Sequence, residues 1–172
     1  MNVIVVYASK YGSTKEIAEF IAEKLREHGM QTEARSVDAA PDPGDYDAVV
    51  VGSAVYMGHW MKEAAEFVRR DRTVLAGRPV WLFSSGPLEL ESKTSPDDPE
   101  LEPKEISEFR ELIHPRDHHV FFGALDPERL GLQHRLIRKL PAGRALLPEG
   151  DFRNWDDVET WAGGIAQALG TP

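Results

Sequence analysis

Short apolar runs recur along the chain and alternate with segments of helical spacing. Residues 3–7 form a continuous apolar run rich in β-branched side chains, which is typical of a strand buried on both faces. Runs of the same kind at 47–52 and 79–83 predict two more buried strands. A more polar run at 31–37 and an aromatic run at 118–123 complete a set of five predicted strands.

The segments between these runs carry apolar residues on one helical face. In the first of them this face predicts a helix that ends at Gly29. A second stripe begins at Met61, a short helix is expected over 104–113, and Asn154 is placed to cap a last helix. The first stripe comprises Ile17, Ala18, Ile21, Ala22 and Leu25.

Alternating strands and helices predict an α/β fold with one parallel sheet covered by helices on both faces. For five strands we expect a three-layer sandwich with the doubly wound strand order 2-1-3-4-5, built as a single domain over residues 1–172. In such a sheet a ligand binds beyond the carboxyl ends of strands one, three and four, where the strand order reverses.

Composition narrows the classes of function. The 172 residues include no cysteine, which excludes disulfides, thiolate metal sites and cysteine nucleophiles. A formal net charge of −9 disfavours binding to nucleic acid. No apolar run is long enough to cross a bilayer and no basic segment precedes the first strand, so we expect a cytoplasmic protein. The six histidines show no metal-ligand spacing, and we expect no metal.

The first site loop, residues 9–14, follows the first strand and opens a helix. Its hydroxyls, together with the backbone N–H groups at the start of a helix, favour an anion. The loop matches neither the dinucleotide fingerprint G-x-G-x-x-G nor the triphosphate loop G-x-x-x-x-G-K-[ST], so a single phosphate monoester fits best. A compatible alternative is that Ser13 and Glu16 form only a capping box.

The second site loop, residues 53–58, follows the third strand at the expected ligand crevice. Tyr56 presents a flat ring on which a planar ligand could stack, whereas Trp60 is expected to pack under the following helix. His59 is a weak candidate for proton transfer near a ligand, and a surface histidine is the more common explanation.

The third site loop, residues 84–88, reads Ser-Ser-Gly-Pro-Leu after the fourth strand. Small residues let backbone amides approach the polar edge of a heterocycle. Ser85 does not lie in a G-x-S-x-G elbow, which argues against a serine hydrolase.

These three loops, in this order, resemble the FMN-binding domains of the flavodoxin-like family. The subgroup that contains the quinone-linked protoporphyrinogen IX dehydrogenases is the most similar, on residues 9–12, Gly58-His59 with the aromatic Trp60, residues 122–125 and residues 151–155. The resemblance implies FMN as cofactor, with the phosphate in the first site loop, the isoalloxazine beside the second and its pyrimidine edge at the third. The implied cofactor-binding residues are Ser9, Lys10, Tyr11, Gly12, Ser13, Thr14, Ser53, Ala54, Val55, Tyr56, Met57, Gly58, Ser84, Ser85, Gly86, Pro87 and Leu88.

Two charged segments lie outside this pattern. An acidic insertion at about 88–104 begins a stretch, residues 89–111, with nine acidic and three basic residues. It is either a docking surface for a basic partner or a solvated loop, and a carboxylate-bearing tetrapyrrole would bind it poorly. The basic amphipathic segment 129–144 could touch a membrane surface or balance the acidic stretch within the fold.

The resemblance favours an FMN-dependent oxidoreductase that acts on a small-molecule redox substrate, with a quinone as acceptor. Two alternatives stay open. One is a non-catalytic electron carrier that docks a redox protein partner, and the other is a binding module without FMN.

Overall fold

A computed structural model describes residues 1–86, 101–125, 136, 139–140 and 150–170. Within these residues the chain alternates between strands and helices, as the apolar pattern predicts. The strands are β1 (Asn2–Ala8), β2 (Gln31–Ser36), β3 (Ala48–Tyr56), β4 (His59–Trp60), β5 (Val80–Ser85), β6 (Asp117–Phe121), β7 (Ala124–Leu125) and β8 (Gly150–Asp151). The helices are α1 (Ser13–Glu27), α2 (Lys62–Arg70), α3 (Arg72–Ala76), α4 (Glu105–Ile113) and α5 (Trp155–Ala168).

The main sheet has the order β2-β1-β3-β5-β6, and all of its pairings along this path are parallel. Because β5 and β6 are the fourth and fifth predicted strands, this is the doubly wound order 2-1-3-4-5, and the prediction is confirmed. The short strand β4 pairs antiparallel with β3, and β7 pairs with β8 in a separate ribbon. The sequence pattern predicted neither of these two short pairings.

Successive side chains of β1 point to opposite faces of the sheet, and β1 is apolar throughout because both faces are buried. Val3 and Val5 pack into the core layer under α1 and α5. Ile4 and Val6 pack into the opposite layer, under α2 and α4. All four side chains are fully buried, so each face of the sheet has its own helical cover.

Gly52 on β3 makes room for the ring of Phe83 on the neighbouring strand β5. A Cβ atom added to Gly52 would lie 2.0 Å from Cζ of Phe83, whose ring covers the glycine. Phe83 in turn contacts the rings of Phe121 and Trp161, so the ring fills the layer under α1 and α5.

The strands run further than the apolar pattern indicates. β3 continues to Tyr56, because β4 folds back on it and pairs Val55 with Trp60 and Tyr56 with His59. β5 continues through Ser84 and Ser85, which pair with β6. Polar and small residues can extend these strands because the neighbouring strands supply the hydrogen bonds.

Large parts of the two charged segments lie outside the described residues. The structure describes residues 101–104 of the acidic insertion, and Leu136, Lys139 and Leu140 of the basic segment, all three of them exposed. No helix in the described part of the chain is long and apolar enough to traverse a bilayer. Among the same residues no three His, Asp or Glu side chains are grouped to bind a metal ion.

Candidate functional site

The strand register brings the three site loops to one edge of the sheet. Ala8 at the end of β1 pairs with Ser53, which pairs with Ser84, and Ser85 pairs with Phe121 at the end of β6. The loops after these strands therefore share the carboxyl edge, where a doubly wound sheet binds its ligand.

The first site loop leads into the start of α1. Gly12 is the N-cap residue of this helix, with a left-handed φ of 95°, and no side chain of the described residues caps the first turn. The hydroxyl of Ser9 accepts the Gly12 N–H at 3.0 Å and shapes the turn. The capping-box interpretation is wrong, because Ser13 is the first helical residue and not the N-cap.

Glu16 of the suggested capping box binds elsewhere. Its carboxylate accepts a hydrogen bond from the guanidinium of Arg153, which also pairs with Asp151 at 2.7 Å. The side chain of Arg153 is 10% exposed and stacks on Trp155, so it joins β8 and the start of α5 to α1. Sequence reasoning did not single out Arg153.

The second site loop is a hairpin that presents Tyr56. Met57 and Gly58 have positive φ angles of 54° and 78°, as in the two-residue turns that suit the twist of a hairpin. The ring of Tyr56 meets that of Tyr11 edge to face at 6.4 Å, so the first and second site loops touch. Burial raises the pKa of the Tyr56 hydroxyl to about 12.

Two predicted site serines point into the protein. The hydroxyl of Ser53 donates to the Ala54 carbonyl at 2.8 Å and accepts the Met61 N–H at 2.9 Å. Ser84 Oγ accepts the indole N–H of Trp60 at 2.8 Å. Both serines are fully buried and their hydroxyls are bonded within the protein, so neither hydroxyl is available to a ligand.

Ser85 differs from these two serines. It is 3% exposed, and its Oγ atom is buried without a hydrogen-bond partner in the described part of the chain. Such a hydroxyl carries an uncompensated desolvation cost unless a ligand or water bonds to it. The sequence placed Pro87 and Leu88 in the same loop, but both lie outside the described residues.

Gly123 joins the first and third site loops. A Cβ atom there would lie 3.2 Å from the Cα of Gly86 and 3.8 Å from Oγ of Ser13. The Gly86 N–H donates to the Phe121 carbonyl, and the Phe152 N–H donates to the Gly123 carbonyl. A side chain at position 123 would therefore fill the space where these loops converge.

His59 forms an acid–imidazole pair beside the hairpin turn. Its Nδ1 atom lies 2.7 Å from Oε1 of Glu105, whose Oε2 accepts the backbone N–H of Trp60 at 3.1 Å. Burial alone would raise the pKa of Glu105, but the hydrogen bonds from His59 and Trp60 lower it below its usual value. Nδ1–H donates to the carboxylate, which directs Nε2 away from Glu105.

His118 is a second histidine near the site, and sequence reasoning did not select it. Its side chain is 3% exposed, and Nε2 lies 2.8 Å from Oγ of Ser84. Burial lowers the pKa of His118 to about 4. Nδ1 faces Glu102 at 3.6 Å, and a hydrogen bond from Arg110 lowers the pKa of that carboxyl. The order Ser–His–Glu resembles a hydrolase triad, but the buried Ser84 is inaccessible to a substrate.

These residues fit a phosphorylated flat ring. A helix start that the described side chains leave uncapped suits a phosphate, a half-exposed tyrosine suits a ring face, and a buried hydroxyl with no partner among these residues suits a polar ring edge. With the doubly wound sheet, the arrangement defines the flavodoxin-like class of α/β proteins. A family model described as "Flavodoxin domain" matches residues 4–142, and the chain belongs to this family.

Comparison with known proteins agrees with this assignment. Protoporphyrinogen IX dehydrogenase [quinone] of Escherichia coli (strain K12) is 31% identical over 86 residues, which cover 49% of this chain and 48% of that protein. The match thus spans about half the length of the curated relatives. Among solved structures, a mutant flavodoxin of Pseudomonas aeruginosa has a TM-score of 0.61 at 17% identity over 98% of this chain and 99% of its own. Oxidised flavodoxin 1 of Bacillus cereus has a TM-score of 0.60 at 13% identity over 99% and 100%.

The family assignment indicates FMN as the cofactor of this chain, as predicted. It argues against the binding module without FMN. The individual FMN contacts stay predictions.

Proposed function

We propose that this protein is an FMN-dependent oxidoreductase that passes reducing equivalents from an organic substrate to a quinone. The observation that carries the proposal is the 31% identity to a dehydrogenase whose name specifies protoporphyrinogen IX and a quinone. Because that match covers half of each chain, both the substrate and the acceptor belong to the proposal.

We assign the FMN phosphate to the first site loop. The backbone N–H groups at the start of α1 would bind phosphate oxygens, and the hydroxyls of Ser13 and Thr14 would add donors. Thr14 is 2% exposed, so its position is set by the packing of α1. Ser9 would act indirectly, because its hydroxyl is bonded to the Gly12 N–H.

The ring of FMN is assigned to the space between the second and third site loops. Tyr56, 37% exposed, would cover one ring face, and Ser85 would bond to the pyrimidine edge. Met57 is 95% exposed at the tip of the hairpin and would border the side from which a substrate approaches. Bound FMN supplies electron transfer in one- or two-electron steps, and the protein sets its orientation and potential.

His59 is proposed to hold a proton for the substrate. It is paired with Tyr56 across the hairpin, so the two side chains lie on the same face of β3 and β4. Glu105 holds the Nδ1 side of the imidazole and leaves Nε2 facing away from that carboxylate. A half-exposed imidazole anchored by a carboxylate is suited to proton transfer.

The second candidate is an electron carrier that docks a basic redox protein through its acidic stretch. Three acidic residues of that stretch are already paired within the protein: Glu102 with Arg110, Glu105 with His59, and Glu108 with Arg69. These carboxylates have less charge to offer a partner than the sequence indicates.

The cellular location of this protein is also part of the proposal. The predicted cytoplasmic site of action, with peripheral membrane contact through 129–144, would bring the protein to its quinone. Leu136 and Leu140, which are 52% and 63% exposed, are two apolar side chains of that segment available for such contact.

The test is turnover by the FMN-loaded protein. Protoporphyrinogen oxidation would be followed anaerobically with a menaquinone analogue as acceptor, with FMN-stripped protein as the control. Multiple turnovers that require both FMN and quinone are the expected result. Absence of turnover, together with fast, salt-sensitive reduction by a ferredoxin- or NADPH-dependent reductase, would replace the enzyme with the carrier.

A further inference from the structure

Lys10 places a positive charge between the first and second site loops. Its side chain is exposed, and its Nζ lies 5.4 Å from the centroid of the Tyr11 ring and 5.9 Å from that of the Tyr56 ring. These distances are typical of weak cation–π contacts, which keep the ammonium beside both rings. Since the rings come from different loops, Lys10 lies at their junction.

This ammonium is not neutralised by a carboxylate of the described residues. In that part of the chain no ion pair includes Lys10, whereas Lys15 pairs with Glu19 at 3.7 Å and Lys62 with Glu66 at 3.5 Å. A lysine without a carboxylate partner among the described residues is notable in a chain with a net charge of −9. Within the described residues, no ion pair therefore cancels its field in the space beside Tyr56.

A carboxylate contacts the hairpin on the His59 side. Glu105 reaches the hairpin through His59 and the Trp60 N–H, and both of its oxygens are occupied. Its charge is therefore held at His59 and the Trp60 backbone. Lys10 thus supplies a positive charge at the opening of the ring space.

We propose that Lys10 raises the reduction potential of the FMN bound to this protein. The inference depends on the proposed placement of the flavin ring beside Tyr56. Uptake of two electrons and one proton converts neutral oxidised flavin to a reduced ring with one negative charge. A cation close to that ring stabilises the reduced form more than the oxidised form.

The phosphate offers a competing role for Lys10, and the two roles differ in what they predict. A contact with the phosphate would strengthen the binding of oxidised and reduced FMN equally, because the phosphate charge is the same in both. A contact with the ring would change the ratio of the two affinities. This ratio and the reduction potential are linked, with tenfold in the ratio equal to about 30 mV for a two-electron couple.

The experiment compares three variants of the full chain. Lys10→Met removes the charge and keeps the length of the side chain, and Lys10→Arg keeps the charge. Lys15→Met makes the same charge change in the first turn of α1. The dissociation constants of oxidised and reduced FMN would be measured anaerobically by fluorescence titration. The potential would be measured by equilibration with a reference dye.

For Lys10→Met we expect affinity for reduced FMN to fall about tenfold more than affinity for oxidised FMN, with a potential about 30 mV more negative. Lys10→Arg and Lys15→Met should stay within about twofold of the wild-type ratio, and added salt should shrink the effect. An unchanged ratio in Lys10→Met, an equal loss of both affinities, or an equal shift in Lys15→Met would overturn the proposal.

The failure of this inference can be told apart from failure of the proposed reaction. The potential is measured without a substrate, so absence of turnover with protoporphyrinogen or a quinone leaves the Lys10 test valid. Turnover with an unchanged potential in Lys10→Met would leave the reaction in place and refute the role of Lys10.

Discussion

The indole N–H of Trp60 donates to Oγ of Ser84 at 2.8 Å, which ties the β3–β4 hairpin to the end of β5. Because an indole N–H only donates, Ser84 is left free to donate its own proton to Nε2 of His118, 2.8 Å away. His118 then carries its proton on Nδ1, which faces Glu102. The second and third site loops are therefore held by one buried chain of polar groups.

This chain predicts that stability depends on pH through His118. Its pKa in the folded protein is about 4, against an ordinary value of 6.5, because burial disfavours the charged imidazole. Between these values the unfolded state binds the proton and the folded state does not. The contribution of His118 to the free energy of unfolding should therefore be fully present above about pH 6.5. It should fall by up to about 1.4 kcal/mol per pH unit as the pH drops toward 4.

Urea denaturation of the wild type and of His118→Asn between pH 4.5 and 7.5 measures this effect. The variant should be less stable at pH 7.5 and should show a shallower pH dependence. His28→Asn, on the exposed end of α1, is the control and should follow the wild type. Parallel pH profiles for the wild type and His118→Asn would show that another group causes the loss.

Gly52→Ala should destabilise the protein, because the new methyl group would overlap the ring of Phe83, 2.0 Å away. Overpacking of this kind costs about 1–3 kcal/mol. Gly164→Ala is the matched control: apart from its chain neighbours and the backbone of its own helix, no atom of the described residues lies within 4 Å of its added Cβ, and α5 gains a better helix former. Urea denaturation should move the two variants in opposite directions, and a Gly52→Ala protein as stable as the wild type would contradict the close packing.

Ser85→Ala should preserve or increase the stability of the FMN-free protein but lower its affinity for FMN. Removal of a buried hydroxyl that has no partner among the described residues should leave the FMN-free protein as stable as the wild type or more stable. If the hydroxyl bonds to the flavin edge, FMN affinity should fall by about tenfold. Thermal unfolding with and without FMN measures both effects, and an FMN-dependent shift equal to that of the wild type would remove Ser85 from the site.

Ser13→Ala combined with Thr14→Ala should weaken FMN binding, because hydrogen bonds to a charged group contribute about 1.5–3 kcal/mol each. We expect a loss of at least tenfold by fluorescence titration. Riboflavin, which lacks the phosphate, should bind the double variant and the wild type equally. Thr73→Ala on the exposed surface of α3 is the control variant. Equal losses for FMN and riboflavin would refute the assignment of the phosphate to this loop.

The fold was predictable because burial of the sheet on both faces produces a local pattern of apolar residues in the sequence. Residues such as Val3 to Val6 are apolar without interruption, and each helix stripe repeats its period within a few turns. The crossover rule for parallel strands then limits the order to a few choices, and the observed order is the expected one. The positions of the three site loops at the carboxyl edge followed from that order.

The details of the site were less predictable. Met57 adopts a positive φ, which is uncommon for a residue with a side chain, because the β3–β4 pairing requires it. Gly12 rather than Ser13 became the N-cap of α1. Ser53 and Ser84 look like ligand donors in the sequence, yet their hydroxyls bond to Met61 and Trp60 inside the protein.

The sequence by itself determined the strand order, the two apolar layers and the edge at which the three site loops meet, since these depend on hydrophobic periodicity and on the handedness of chain connections. Only the tertiary structure decided which polar groups are available there. Trp60 and Ser84 are 24 residues apart, and Ser84 and His118 are 34 apart. Hydrogen bonds over such separations depend on how the strands align, and no local pattern in the sequence records them.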